Sequence, residues 1–411
     1  MTRALLVVAC LVALPGRAEP MLGPAFAVTP GVTQEGQSQA RVVGTDTGFF
    51  VVWQAGAGRN ARIRGARLEA GGQSRDASGL TLAEGPGGRF EPAVAFGHGV
   101  LFVVWSDLRD DTQTVYGARF SPDGAALDPA GLLLSTEPGA RMADVAATPT
   151  GFIVAWAQAV EGGQGTEARA RLLDASGMPT AAPLRLSQAR RWTAGEDLAH
   201  ASLSRAYAQG VRVAVLGSQA YVGWAGNSGN GQEIEVTRAL VDTATGQVLA
   251  PAARAMPAPQ SRVWNPTLAA LPDGGVLVSW TDFRGRGVLG LAAHNGLVSA
   301  PSGLDAGVTL VSFRDDGGAR EVLTPAVAPS SVVAFVAGVE NPQRQRRVEW
   351  RLRVRELGPD GSSRGADVTV PEQVGWPALA TGPTGITVLV TTTVNGAPGE
   401  TGRLWARAVG R

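Results

Sequence analysis

The chain has 411 residues, with 36 arginines, no lysine and 35 acidic residues, for a net charge of +1. Charged residues make up only 17%, which excludes the basic excess of a nucleic-acid binder. With 55 glycines and 26 prolines, the composition suits many short strands joined by tight turns.

The N-terminus reads as a targeting segment. Met1-Thr2-Arg3 gives a short positive start, Ala4 to Leu14 is an apolar stretch, and Gly16 and Ala18 are the small residues that a signal peptidase reads. This predicts a signal peptide over residues 1–18 and a mature chain over 19–411. The alternative reading takes Val7-Val8-Ala9-Cys10 as a lipobox, which would leave Cys10 lipidated. Cys10 is the only cysteine, so the exported chain must fold without disulfides. No later apolar run approaches the ~20 residues of a membrane span.

Phe26-Ala27-Val28-Thr29 then reads as a lone fourth strand, ahead of the first full repeat. Seven copies of one phrase follow, an apolar run usually ending in tryptophan: Trp53, Trp105, Trp156, Trp224 and Trp280, then Phe335 and Val390. The intervals are 52, 51, 68, 56, 55 and 55 residues, and a fixed period of this size marks a repeat architecture. Each repeat reads as four strands. The first is introduced by proline in several copies (Pro92, Pro266, Pro325, Pro377), as a strand's first residue allows. The tryptophan phrase is a fully buried second strand, and alternating runs such as Val115 to Phe120 are half-exposed third strands. Turns such as Ser121-Pro122-Asp123-Gly124 precede a short fourth strand. The final run, Arg403 to Val409, matches a third strand with no successor. An all-β, seven-bladed β-propeller is therefore expected as a single domain. Four antiparallel strands form each blade, and the N-terminal strand closes the ring by pairing into the C-terminal blade.

The stretch from Glu91 to Gly139, with PAVAF and LFVVWSDLRDDTQTVYGARFSPDG, resembles the tandem repeats of secreted and lipid-anchored β-propeller proteins abundant in myxobacteria and their relatives. The resemblance implies a propeller outside the cytoplasm, and it implies no catalytic residues. The glycine-histidine and tryptophan-aspartate signature of the WD type is absent.

Candidate sites lie mostly on one rim. The 68-residue interval inserts a segment between Leu186 and Val211 that carries Arg190, Arg191, Trp192, Glu196, Asp197 and His200. Gly195 to Gly210 reads as a short helix within it. Asp107 with Arg109, and Asp282 with Arg284, share a W-x-D-x-R pattern just after the second strand. Either they stabilise that turn or they bind ligand. The acidic groups around Asp107, Asp110 and Asp111 do not reproduce a calcium loop. His98, His200 and His294 fall in different repeats, which argues against a shared zinc site. Arg351, Arg353 and Arg355 point to one strand face, either a solvated surface or a contact for an anionic polymer.

The expected function is an exported, non-enzymatic binding module that recognises a protein or glycan through that rim. A polysaccharide-active hydrolase or lyase with rim carboxylates is the alternative. No cofactor, metal or nucleic acid is expected, and the chain is expected to be a monomer. The secreted protein should start at Glu19 without lipid; intact mass checks this, and a diacylglyceryl group on Cys10 would contradict it.

Overall fold

The computed structural model describes residues 20–32, 35–160, 166–187, 208–226, 235–254, 263–271, 275–282, 292–299, 309–312, 319–330, 332–340, 348–358, 363–372, 374–393 and 402–410. The expected signal segment and Cys10 lie outside them. Among the described residues the regular structure is strand, apart from one turn of 3-10 helix at Gly58–Asn60. None of their helices is long and apolar enough to cross a membrane.

The strands form seven antiparallel sheets. The first six are four-stranded meanders in chain order, and the seventh takes its outer strand from the N-terminus. First strands run Gln37–Thr45, Arg89–Gly97, Ala140–Thr148, Ala208–Leu216, Val263–Ala270, Ala319–Val327 and Val374–Thr381. Each packs against the first strand of the next sheet, and the seventh packs against the first. Seven four-stranded sheets arranged edge-inward in this order are a β-propeller, with the first strands innermost.

The seventh sheet has three strands of its own, Val374–Thr381, Thr387–Thr393 and Leu404–Gly410. Met21 and Leu22 pair with Gly410 and Val409, and Phe26 and Ala27 pair with Ala406 and Trp405. Val28 donates its N–H to the Leu404 carbonyl at 3.0 Å and is fully buried.

The aromatic near the end of the second strand in the first six sheets explains the packing. Trp53, Trp105, Trp156, Trp224 and Trp280 are at most 2% exposed, so they are packing residues. Trp105 lies in one apolar cluster with Phe50, Val52 and Ile63 of the preceding sheet, and Trp156 joins Phe102 and Val104 of the second sheet. Trp224 joins Ile153 and Ala155, and Trp280 joins Ala214 and Tyr221. Trp53 continues the pattern by joining Ala378, Val388 and Val390 of the seventh sheet. Alternate residues such as Phe102 and Val104 pack forward onto the next sheet, so both faces of each second strand are covered. Gly65 sits where a third strand crosses this packing: a Cβ there would lie 2.7 Å from the Phe50 ring.

Two sequence expectations change. Ala93, Ala378 and their equivalents pair one step before the aromatic position in each sheet: Ala93 faces Val104, and Ala378 faces Val390. The register therefore puts Thr391, not Val390, at the tryptophan step of the seventh sheet. Nor do the prolines start their strands. Pro92 and Pro377 lie inside strands that begin at Arg89 and Val374, at register shifts between Phe90 and Ala93 and between Gly375 and Ala378. A β-bulge leaves one residue unpaired, so a proline without an N–H is accepted there.

Deleting residues 20–31 removes the outer strand of the seventh sheet and the buried Val28. The melting temperature should fall by about 5 °C or more, measured by circular dichroism. The exposed edge should also drive self-association on size exclusion. A truncated protein that melts like the parent and stays monomeric would make this strand peripheral.

Candidate functional site

One rim carries the connections from second to third strands and from fourth to first strands. First strands begin there and second strands end there, with connections at 56–61, 84–88, 108–113 and 134–139. The opposite rim has two-residue turns between first and second strands, as at 46–47 and 98–99, and longer third-to-fourth connections, as at 69–79 and 121–131. At the second of these, His98 Nε2 lies 2.9 Å from the Thr148 carbonyl oxygen, and its ring packs edge-on against Phe152. That turn is held to the next sheet, well away from the loop-rich rim.

Asp107 ends the second strand of the second sheet and is fully buried. Its Oδ2 accepts the Trp105 indole N–H at 2.8 Å, and its Oδ1 accepts the Arg109 backbone N–H at 2.8 Å. The Arg109 guanidinium adds bonds of 3.0 and 2.8 Å, and Arg89 Nε approaches to 3.3 Å. Arg109 also lies 3.7 Å over the Tyr116 ring and donates to the Ala130 carbonyl. Burial pushes the Asp107 pKa up, but the bonds from Arg109 and Trp105 outweigh it and hold the carboxyl below its usual range. The pair therefore acts as a turn clamp that also satisfies the buried indole. Gln158 does the same for Trp156, at 3.0 Å. Trp53 and Trp224 have Ala55 and Gly226 two residues on, and their indole N–H groups find no acceptor among the described residues.

Asp282 ends the corresponding strand of the fifth sheet; its side chain lies outside the described residues, as do Arg284, Arg190, Arg191, Trp192, Glu196, Asp197 and His200. The short helix expected over 195–210 lies almost wholly outside them too, and from Ala208 the chain is the fourth sheet's first strand. Two of the three arginines of the expected face form ion pairs: Arg355 donates to both Asp367 oxygens, and Arg353 lies 3.7 Å from the same carboxylate. Arg67–Asp76 and Arg119–Asp128 are equivalent clips between third strands and the turns that follow. Asp111 pairs with Arg59 across the rim at 2.8 Å. Among the described residues, no three His, Cys, Asp or Glu side chains converge as a metal site.

The sequence reading missed the inner end of this rim. Gln39, Glu91, Met142, Gly210 and Trp376 occupy equivalent bulges in first strands, with φ of 54°, 54°, 53°, 59° and 49°. Left-handed backbone costs a non-glycine residue about 1–3 kcal/mol. Two of these bulges connect neighbouring sheets: Gln39 Oε1 accepts the Glu91 N–H at 3.0 Å, and Glu91 Oε2 accepts the Met142 N–H at 3.0 Å. One residue past the third bulge, Asp144 Oδ2 accepts the Val213 N–H at 2.9 Å. Trp376 is 60% exposed at the same level. Beside it in the ring, an open cleft of about 910 Å³ is lined by Glu35, Gln37, Ser38, Arg62, Arg64 and Gly402 among others. Glu35 is bonded to Arg62 within it. The recurring X-Pro step was the sequence signal for these bulges, since Glu91 and Trp376 each precede a proline.

No family model matches the chain, and no curated protein is significantly similar to it. Among solved structures it is similar to a protein of unknown function from Dyadobacter fermentans, at 11% identity and a TM-score of 0.49, covering 95% of this chain and 99% of that one. An α-L-arabinanase of Penicillium chrysogenum, solved with arabinobiose, is similar at 13% identity and a TM-score of 0.47, over 77% of this chain and 92% of that one. The endosialidase of phage phi92 is similar at 8% identity and a TM-score of 0.47, over 94% and 69%. The architecture rests on the chain's own strand order, and these likenesses carry no activity to it.

Asp107→Ala leaves two arginines and an indole N–H without their acceptor, and should cost about 3 kcal/mol in denaturant unfolding at neutral pH. Asp107, Asp76 and Asp128 all have folded pKa values below the unfolded range near about 4. Their contribution is thus complete above that range and is lost as pH falls through the lower folded values. Thermal stability should be nearly flat from about pH 5 to 7 and fall steeply below about pH 4, less steeply in Asp107→Ala.

Proposed function

We propose that this chain is an exported, non-enzymatic β-propeller that binds a protein or glycan on its loop-rich rim, with the N-terminal strand as the clasp of the ring. One observation carries the preference for binding over hydrolysis. Five carboxylates among the described residues of this rim are occupied by the fold itself: Glu35 by Arg62, Glu91 by Ser106 and Met142, Asp107 by Trp105 and Arg109, Asp144 by Val213, and Glu167 of a third strand by Arg169 and Arg185. Glycosidic hydrolysis needs one carboxyl free to carry and deliver a proton and another free to act on the sugar or on water. Engaged groups make rigid loop supports instead. The exposed Trp376 and the neighbouring cleft supply an aromatic face and a concave polar surface, which suit recognition without chemistry.

The 189–207 segment is assigned to the same binding face, since neighbouring repeats manage without it. A glycan array and a protein pull-down, each paired with a turnover assay, test the reading. A ligand should be retained without product release, and replacing 189–207, which stops short of the strand at Ala208, by a short glycine-serine connection should abolish that binding while melting changes little. Steady release of product from a polysaccharide would replace this reading with the hydrolase or lyase.

A further inference from the structure

Three charged residues share one level of the innermost strands. Arg41, Asp144 and Arg212 are each the first paired residue after the bulge of their first strands, opposite Val52, Ala155 and Gly223. The same step in other sheets holds Ala93, Thr267, Ala326 and Ala378. Ala93, Ala326 and Ala378 are small and buried between sheets, so they take up little space beside the two long side chains. Both arginines are half-buried.

The carboxylates and guanidiniums at this level are not matched to each other. Asp144 is bonded to the Val213 N–H, and Glu91 to the Met142 N–H and the Ser106 hydroxyl. Arg41 donates one bond, from Nη1 to the Ala40 carbonyl at 3.2 Å, and Arg212 one, from Nη1 to the Val211 carbonyl at 2.8 Å. Neither has a carboxylate within ion-pair distance among the described residues. A guanidinium has five N–H donors, so most of this donor capacity has no acceptor among the described residues. Two arginines of the third strands contrast with this, since Arg67 and Arg119 are each gripped by an aspartate.

We infer that the axial end of the rim is an oxyanion-binding site, in which Arg41 and Arg212 hold a carboxylate or phosphoryl group of the ligand. This rests on the proposed rim reading and names the chemistry that the rim selects. A planar guanidinium fork matches either oxyanion, and two forks facing one space bind it more tightly than one. The electrostatics agree: the Arg212 charge, then burial, push the Arg41 pKa down to about 10, against the opposing pull of Asp144 and Glu91. Two like charges held together without a counterion are a cost that a bound anion removes.

Calorimetry with inorganic phosphate and, separately, with glucuronate tests this on the full-length protein, with ionic strength balanced by sodium chloride. The wild type should bind one of the two saturably, and the one that binds identifies a phosphoryl or a carboxylate site. Arg41→Gln with Arg212→Gln should weaken that binding at least tenfold. Arg59→Gln, an exposed arginine on the same rim, should leave it unchanged. The ligand-free double variant should melt no lower than the wild type, because a repulsion has been removed, whereas purely structural arginines would lower it. If the double variant does not fold, the single lysine variants Arg41→Lys and Arg212→Lys keep the charge and lose the fork, and each should bind several-fold more weakly. Absence of binding by either anion, or equal binding by these variants, would overturn the site. A rim ligand held equally by wild type and double variant would overturn it while leaving the rim reading intact. Anion uptake at these arginines with no rim ligand would do the reverse.

Discussion

Everything in this structure depends on the contact between the aromatic at the end of one second strand and the face of the preceding sheet. A four-stranded antiparallel meander with an apolar second strand has two faces to bury, and it can bury neither alone. Each sheet here offers one alternate set of side chains backward, Leu101, Val103 and Trp105 in the second sheet, and the other set forward, Phe102 and Val104. In a linear array the first and last sheets would each keep one apolar face in water. Trp53 packing beside Val388 and Val390 removes both exposures at once, and the N-terminal strand covers the sheet edge that remains. Stability is therefore spread around the ring, with no single central core.

The same packing brings the inner strands together near the axis, where space is short and the backbone needs partners. The left-handed bulges answer this requirement. They turn an extra residue out of the ladder and free N–H groups such as those of Glu91 and Met142, which the side chain of the preceding sheet then accepts. The strain at these positions is offset by bonds between sheets, so the loop-bearing rim is fixed from its inner edge. Its connections can then vary in length while their anchors stay in place.

Charge follows a division of labour. Carboxylates and arginines on the third strands and at second-strand ends are spent locally, in the clips Arg67–Asp76 and Arg119–Asp128 and in the clamp around Asp107. At the axis the carboxylates are spent on backbone N–H groups instead, which leaves Arg41 and Arg212 with donors to spare.

The amino-acid sequence by itself determined the repeat count, the buried second strands and the surplus strand at one end that matches a deficit at the other. These are local matters: a tryptophan phrase recurring every fifty-odd residues and a period-2 alternation are written in consecutive residues. The W-x-D-x-R clamp was legible for the same reason, because Trp105, Asp107 and Arg109 lie within one turn. Only the tertiary structure decided the seventh sheet's register, where Thr391 stands at the tryptophan step, since a strand without an aromatic gives no local marker of its phase. It alone turned the prolines from strand starts into bulges, because a bulge is defined by the partner strand it slips against. The axial group of Arg41, Asp144 and Arg212 was invisible for a deeper reason. Its members lie in three different repeats and meet only because the ring brings equivalent steps of separate strands around one axis.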